Sequence, residues 1–157
     1  MGALRIGLIS DTHGLLRPQA LQALGSCDHL IHAGDIGELA VLDALASLAP
    51  LSVVRGNNDR DEVFARVPET VCLVLGGRRI LVVHDLRQPE FKSAVAFSAP
   101  DVVISGHSHR PMVERREGVL YVNPGSAGPR RFQLPVTIAH LLLSERGVEA
   151  QITELAL

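Results

Sequence analysis

Apolar and polar positions along this chain form short runs that end alike. Residues 4–10, LRIGLIS, are apolar apart from Arg5, Gly7 and Ser10, and they stop at Asp11. RPQALQAL follows, with Pro18 where a first helical turn tolerates proline and Gly25 behind it as a stop, so the pattern predicts a strand and then a helix. HLIHAGD, residues 29–35, leads into ELAVLDALASLA, residues 38–49. That helix is apolar almost all round, with only Asp43 and Ser47 as a polar edge, which predicts that it is largely covered. LSVVRGNND, residues 51–59, is a third run, closed by Gly56-Asn57 and followed by a polar loop through Arg66 with Pro68 behind it. TVCLVL and RILVVH read as a hairpin about Gly76-Gly77. PEFKSAVAFSAP, from Pro89, predicts a short helix that delivers the chain to the strand DVVISGH. The remainder alternates in strand fashion, with turns at Glu117-Gly118 and Arg146-Gly147.

Strand–helix–strand units in front and meandering strands behind predict an α/β layered fold, two packed sheets with helices outside. The 157 residues fit a single domain, 1–157, without linker, repeat or low-complexity segment. Nearly half the residues are apolar and the formal net charge is -2, so no field gathers a long nucleic acid or an anionic membrane. An aromatic content of 3% argues equally against stacking on single strands. Cys27 and Cys72 have no paired spacing and are expected to be buried thiols of a reducing cytoplasm. No run resembles a signal peptide or approaches the roughly 20 residues needed to span a bilayer, so a soluble, cytoplasmic protein is expected.

The candidate chemistry lies where the runs end. Five of them close on a side chain able to bind a metal: Asp11 with His13, Asp35, Asn57, His84, and His107 with His109. The carboxyl ends of parallel strands meet in one crevice, so residues far apart in sequence converge there. Gly34, Gly56 and Gly106 precede three of these positions and allow tight turns and close backbone approach. Two carboxylates, an amide oxygen and four imidazoles exceed one tetrahedral zinc site and suit two metals sharing a bridge. Two divalent cations about 3.5 Å apart repel by roughly 19 kcal/mol even at an effective dielectric of 20, so an anion must lie between them. Asp35 is the candidate bridge, and the remaining positive charge suits a phosphate ester.

In these residues the chain resembles the calcineurin-like metallophosphoesterases: Asp11-Thr12-His13, Gly34-Asp35, Gly56-Asn57-Asn58-Asp59, His84 and Gly106-His107-Ser108-His109 follow that family's order of motifs. Asn123-Pro124-Gly125-Ser126 is similar to its small bacterial and archaeal phosphodiesterase branch. The resemblance implies a four-layer αββα sandwich of two mixed sheets flanked by helices. It implies one metal held by Asp11, His13, Asp35 and His109, and a second held by Asp35, Asn57, His84 and His107. It further implies in-line attack on phosphorus by a metal-bridging hydroxide, with Asp35, Asn57, Asn58 and His107 at the reacting centre. The ions expected are a divalent transition-metal pair, Mn first, with Fe, Ni or Zn as alternatives. The implied substrate is a small phosphodiester.

Two positions depart from the family pattern. Asn58 stands where many members carry a histidine that protonates the leaving oxygen, and Asp85 stands where glycine commonly follows the histidine. Asp85 is read as a cap for the following loop rather than as an orienting group. Arg110, Arg130 and Arg131 are candidate phosphate clamps beside Asn58, and Arg55 and Arg60 are weaker ones. His29, His32 and His140 are read as structural, His32 with a bond supporting a ligand, and Glu38 as a first-turn charge. Alternative functions are a phosphomonoesterase or nucleotidase, or a non-catalytic scaffold of the kind this fold forms in a eukaryotic retromer subunit. Filled ligand positions favour the enzyme. The oligomeric state stays open, a homo-oligomer included.

Overall fold

A computed structural model describes residues 3–157. Its strands are β1 (Leu4–Ile9), β2 (His29–His32), β3 (Leu51–Val53), β4 (Thr70–Leu75), β5 (Arg78–Val83), β6 (Val102–Ile104), β7 (Met112–Arg116), β8 (Val119–Asn123), β9 (Thr137–Ser144) and β10 (Gly147–Glu154). Its helices are α1 (Pro18–Leu24), α2 (Leu39–Ala46) and α3 (Phe91–Ser98), with a single 3-10 turn at Glu62–Phe64.

The strands form two mixed five-stranded sheets. One has the order β10-β9-β1-β2-β3, with β1, β2 and β3 parallel and the β9–β10 hairpin antiparallel beside β1. The other has the order β4-β5-β6-β8-β7, with β5, β6 and β8 parallel and antiparallel strands at both edges. Alternation along each strand decides which face is buried where. Ile6 and Leu8 of β1, Ile31 of β2 and Leu141 of β9 meet Ile80 and Val82 of β5, Ile104 of β6 and Val122 of β8 between the sheets. The opposite face of the first sheet, through Ile9, Leu30 and Ile138, packs on Leu24 of α1 and Val41 and Leu45 of α2. Leu81, Val83 and Val103 of the second sheet pack on Phe91, Ala94 and Val95 of α3. The layers therefore run α, β, β, α, the four-layer sandwich that the resemblance implies.

Local chemistry explains the turns. Gly76 and Gly77, at φ 56° and 76°, form the two-residue connection that a twisted hairpin favours, and they fix Leu75 opposite Arg78. Pro18 opens α1, where its missing N–H is no loss. Gly7 lets α1 lie close on β1, because a Cβ there would overlap Leu24 and Leu30.

Two expectations need correction. Helix α2 is not covered all round: Val41 and Leu45 are buried, whereas Leu39 is 43% exposed and Leu48, just beyond its end, 37% exposed. In an outer layer a helix has a sheet on one side and solvent on the other, so one stripe suffices. The cysteines are free but not buried: Cys27 is half-buried and Cys72 is exposed, on the outer face of the edge strand β4. No helix among the described residues is long and apolar enough to cross a membrane.

This placement predicts unequal thiol reactivity. Burial pushes the Cys27 thiol pKa up, and only the thiolate is nucleophilic. Alkylation of the native protein with iodoacetamide, followed by peptide mass mapping, should label Cys72 at least about tenfold faster than Cys27. Equal rates would contradict the placement of β4.

Candidate metal centre

Strands β1, β2 and β3 of one sheet and β5 and β6 of the other end at a common edge, and there the backbone leaves the extended region. Asp11 (φ 55°), His13 (φ 47°), Asp35 (φ 58°), His107 (φ 71°) and His109 (φ 62°) all occupy the left-handed region. For a residue with a Cβ this conformation costs roughly 1–2 kcal/mol each. Such strain collects at functional sites and persists because packing around it over-determines the backbone. The ladders accordingly stop short of the polar residues: β2 ends at His32 and β6 at Ile104. Gly34, at φ 103°, turns the chain into Asp35, and any side chain there would strike the His84 ring. Gly56 has an ordinary φ and is needed for space, since a Cβ would strike Asp35.

The Asp11 carboxylate is held on one side and bare on the other. Asp11 Oδ2 accepts the Ser10 hydroxyl at 2.7 Å and the His107 N–H at 3.0 Å. Asp11 Oδ1 is buried with no hydrogen-bond partner, and so are His13 Nε2, His84 Nε2 and His109 Nδ1. Asp11 Oδ1 lies 3.3 Å from His109 Nε2 and 3.9 Å from both His13 Nε2 and His84 Nε2. Asp35 Oδ2 lies 3.4 Å from His84 Nε2 and 3.7 Å from His13 Nε2. His84 Nδ1–H donates to the Ala33 carbonyl at 2.7 Å, which turns Nε2 into the centre.

Bare buried donors are costly unless something shares them. Spacings of 3.3–3.9 Å are mostly long for hydrogen bonds. Two ligands each about 2.1 Å from one ion lie roughly 3.0–3.4 Å apart, so the oxygen and nitrogen donors fit a divalent cation after slight contraction. Two groups able to hold an ion emerge, Asp11–His13–His109 and Asp11–Asp35–His84, and they share Asp11 rather than Asp35, the bridge expected from sequence. Asp35 Oδ2 nevertheless faces a histidine of each group, His13 at 3.7 Å and His84 at 3.4 Å.

Charge balance in the metal-free cluster follows. Burial alone would raise the Asp35 pKa, but His84 and the Asn58 N–H outweigh it and hold that carboxyl well below the usual range. Burial would likewise raise Asp11, and His109, His84 and Ser10 bring it below its ordinary value. Burial pushes His84 down, yet Asp35 and Asp11 lift its pKa above the ordinary value. His13 goes the other way, because burial outweighs Asp35 and Asp11, with Arg131 adding repulsion.

The remaining expected residues occupy the mouth. His107 Nδ1 lies 3.2 Å from Asn57 Oδ1, and His107 Nε2 lies 3.0 Å from Arg87 Nη2. A guanidinium only donates, so Nε2 accepts and Nδ1–H points to Asn57. Asn57 and His107 are thus paired with each other beside the bare donors. Asn58 clamps Asp35, its backbone N–H on Oδ1 at 2.9 Å and its side-chain amide on Oδ2 at 3.0 Å. Arg110, Arg130 and Arg131 are exposed; Arg131 acts on His13 through its charge, Arg110 lines a groove beside His107, and among the described residues no hydrogen bond or ion pair ties Arg130 to the centre. Asp85 Oδ1 accepts the Arg87 N–H at 3.0 Å, the loop cap read from the sequence. Its Oδ2 also lies 3.5 Å from His107 Nε2, so it faces the candidate ligand as well.

Several supporting residues had no role in the sequence reading. Asp59, 2% exposed, accepts the N–H groups of Ile36, Gly37 and Gly56 and so ties the turn after Asp35 to the turn before Asn57. Its position three after Gly56 was the available signal. Ser126 Oγ donates to the Asp11 carbonyl, and Asn123 Nδ2 donates to the Gly106 carbonyl and Ser108 Oγ, so the Asn-Pro-Gly-Ser turn fastens both ligand loops. His32 does support the site: its Nδ1 accepts the Gly34 N–H at 3.0 Å, which leaves Nε2–H to donate to Thr12 Oγ1 at 3.0 Å. His29 and His140 are bonded to Ser52 and to the Ala23 carbonyl, away from the centre.

Two mixed sheets whose strand ends gather aspartates and histidines define the metallophosphoesterase class of hydrolase fold. Residues 4–146 match the calcineurin-like phosphoesterase superfamily domain, and the chain belongs to that family. It is 33% identical over 136 residues to a probable metallophosphoesterase of Methanocaldococcus jannaschii, covering 80% of this chain and 69% of that one. The solved structure of a novel archaeal phosphodiesterase superposes with a TM-score of 0.81 at 25% identity, covering 97% of this chain and 100% of that one. Vacuolar protein sorting 29 from Cryptosporidium parvum superposes with a TM-score of 0.76 at 17% identity over 99% of each chain, a likeness of fold alone.

The His32 bonds predict how stability depends on pH. Burial pushes its pKa down to about 4 from 6.5, because a proton on Nδ1 would face the Gly34 N–H. The unfolded chain takes up a proton that the folded chain refuses, so stability is full above pH 6.5 and falls as pH drops toward 4. The loss is about 3 kcal/mol. Denaturant unfolding of metal-free protein should show this slope, and His32→Asn should flatten it. An unchanged slope in the variant would refute the assignment.

Proposed function

We propose that this protein hydrolyses small phosphodiesters with the help of two divalent cations. Asp11, His13, Asp35 and His109 would hold one, and Asp35, Asn57, His84 and His107 the other, with manganese the first candidate. The observation that carries the reading is the set of bare atoms Asp11 Oδ1, His13 Nε2 and His84 Nε2, buried together with His109 Nε2 around two carboxylates. When bound, the cations supply Lewis-acid charge to the phosphoryl oxygens and acidify a water nucleophile.

The chain's own residues do the rest. Ser10 and the His107 N–H hold Asp11, and Asn58 holds Asp35, so neither carboxylate has to reorganise. Asn58 donates hydrogen bonds but an amide does not titrate, so it cannot give a leaving alkoxide its proton. Good leaving groups are therefore favoured. The diester reading is supported by the archaeal phosphodiesterase of the same fold. The likeness to vacuolar protein sorting 29 supports a scaffold only at the level of fold, and here every expected ligand position, Asp11, His13, Asp35, Asn57, His84, His107 and His109, carries a side chain able to bind a metal.

Metal-loaded protein assayed on a panel of diesters and monoesters tests the proposal. Nitrophenyl diesters should turn over, and alkyl diesters at least about 100-fold more slowly. Asp35→Asn should lower kcat/KM by about 100-fold or more. Turnover of monoesters alone would favour the phosphomonoesterase reading, and equal rates for nitrophenyl and alkyl esters would show that another residue supplies the proton.

A further inference from the structure

We propose that a groove beside the candidate centre, flanked by Arg87 and Arg110, receives one ester arm of the substrate and selects an arm that carries its own negative charge. This rests on the phosphodiesterase reading and narrows it to a substrate class, diesters with an anionic substituent.

The groove has a volume of about 630 Å³ and runs between the loop after β5 and the loop after β6, with His107 in its wall. Leu86, Pro111 and Met112 give it apolar surface. Its charged lining consists of Asp85, Arg87 and Arg110, one anion against two cations, a local excess of one positive charge on a chain whose net charge is -2. Substrate bound at His107 must extend one substituent along this surface or away from it, and the charge excess rewards an anionic one.

Arg87 is aimed although it is exposed. Its Nε and Nη2 lie 3.3 and 3.4 Å from the two Asp85 oxygens, and Nη2 reaches His107 Nε2 at 3.0 Å. Asp85 is itself pinned by the Arg87 backbone N–H. A pair with a 79% exposed arginine contributes little to stability, so its consequence is orientation. The Asp85 bonds engage Nε and one Nη2–H. When His107 holds a cation its ring can no longer accept from Nη2, which leaves the second Nη2–H and the two Nη1 donors for a ligand oxygen, in the planar geometry that suits a phosphoryl or carboxylate group. Arg110, exposed at the same groove, supplies the second positive charge.

The test uses metal-loaded protein and p-nitrophenyl diesters that share one leaving group and differ in the retained arm: 4-carboxyphenyl, phenyl and choline. The expected order of kcat/KM is anionic over neutral over cationic, with about tenfold between the first two. Arg87→Ala and Arg110→Ala should each shrink the anionic preference to about twofold, chiefly through KM. Methylguanidinium should restore Arg87→Ala, and Arg87→Lys should keep part of the preference. Inorganic phosphate, followed by titration calorimetry, should bind Arg87→Ala about tenfold more weakly. Wild-type protein that hydrolyses all three diesters equally, or an Arg87→Ala preference unchanged within twofold, would overturn the inference and leave the phosphodiesterase reading intact. Failure of metal-loaded wild type on every diester would overturn that reading, and the inference with it.

Discussion

The structure depends on one electrostatic constraint: two carboxylates and several imidazole nitrogens are buried at a single point with too few hydrogen bonds to satisfy them. Asp11 and His84 are fully buried and Asp35 is 2% exposed, yet Asp11 Oδ1 and His84 Nε2 have no hydrogen-bond partner. Within the metal-free protein the cluster finds partial relief by shifting protons, which is why His84 is raised while Asp35 is held low. Bound cations would resolve the same constraint more fully, because between them they can take up the bare lone pairs.

The surrounding fold works to keep that cluster from relaxing. Five residues at the strand ends stay in a left-handed conformation that none of their side chains prefers. They are held by bonds from distant parts of the chain: Ser126 to the Asp11 carbonyl, Asn123 to the Gly106 carbonyl, Asp59 across two turns, and His32 between Thr12 and Gly34. The sandwich between the sheets supplies the rigidity, since Ile6, Leu8, Val82 and Ile104 are buried in it one short step from the turns. Strain near the centre and packing beneath it are therefore two parts of one arrangement.

How much of this could be read from sequence follows from the range of each interaction. Strands and hairpins were legible because alternation and Gly-Gly chemistry are local, and the grouping of Asp11, Asp35, His84 and His109 was legible because parallel strand ends converge whatever separates them. The exposure of Leu39 and Cys72 was not, since it depends on which layer lies opposite, and an outer helix and an edge strand have solvent there. Asp59 and Arg87 were missed for a related reason. Their partners Ile36 and His107 lie 23 and 20 residues away, and beyond the spacing of Asp59 three after Gly56 no local pattern marks such bonds.

The central claim is that the buried donors hold a pair of divalent ions between them. Anomalous diffraction at the manganese edge from crystals grown with manganese tests it most directly. The account predicts two peaks, each contacting Asp35 and separated by roughly 3.5 Å. A single peak, or none at Asp11, Asp35 and His84 while manganese sits elsewhere on the surface, would contradict it.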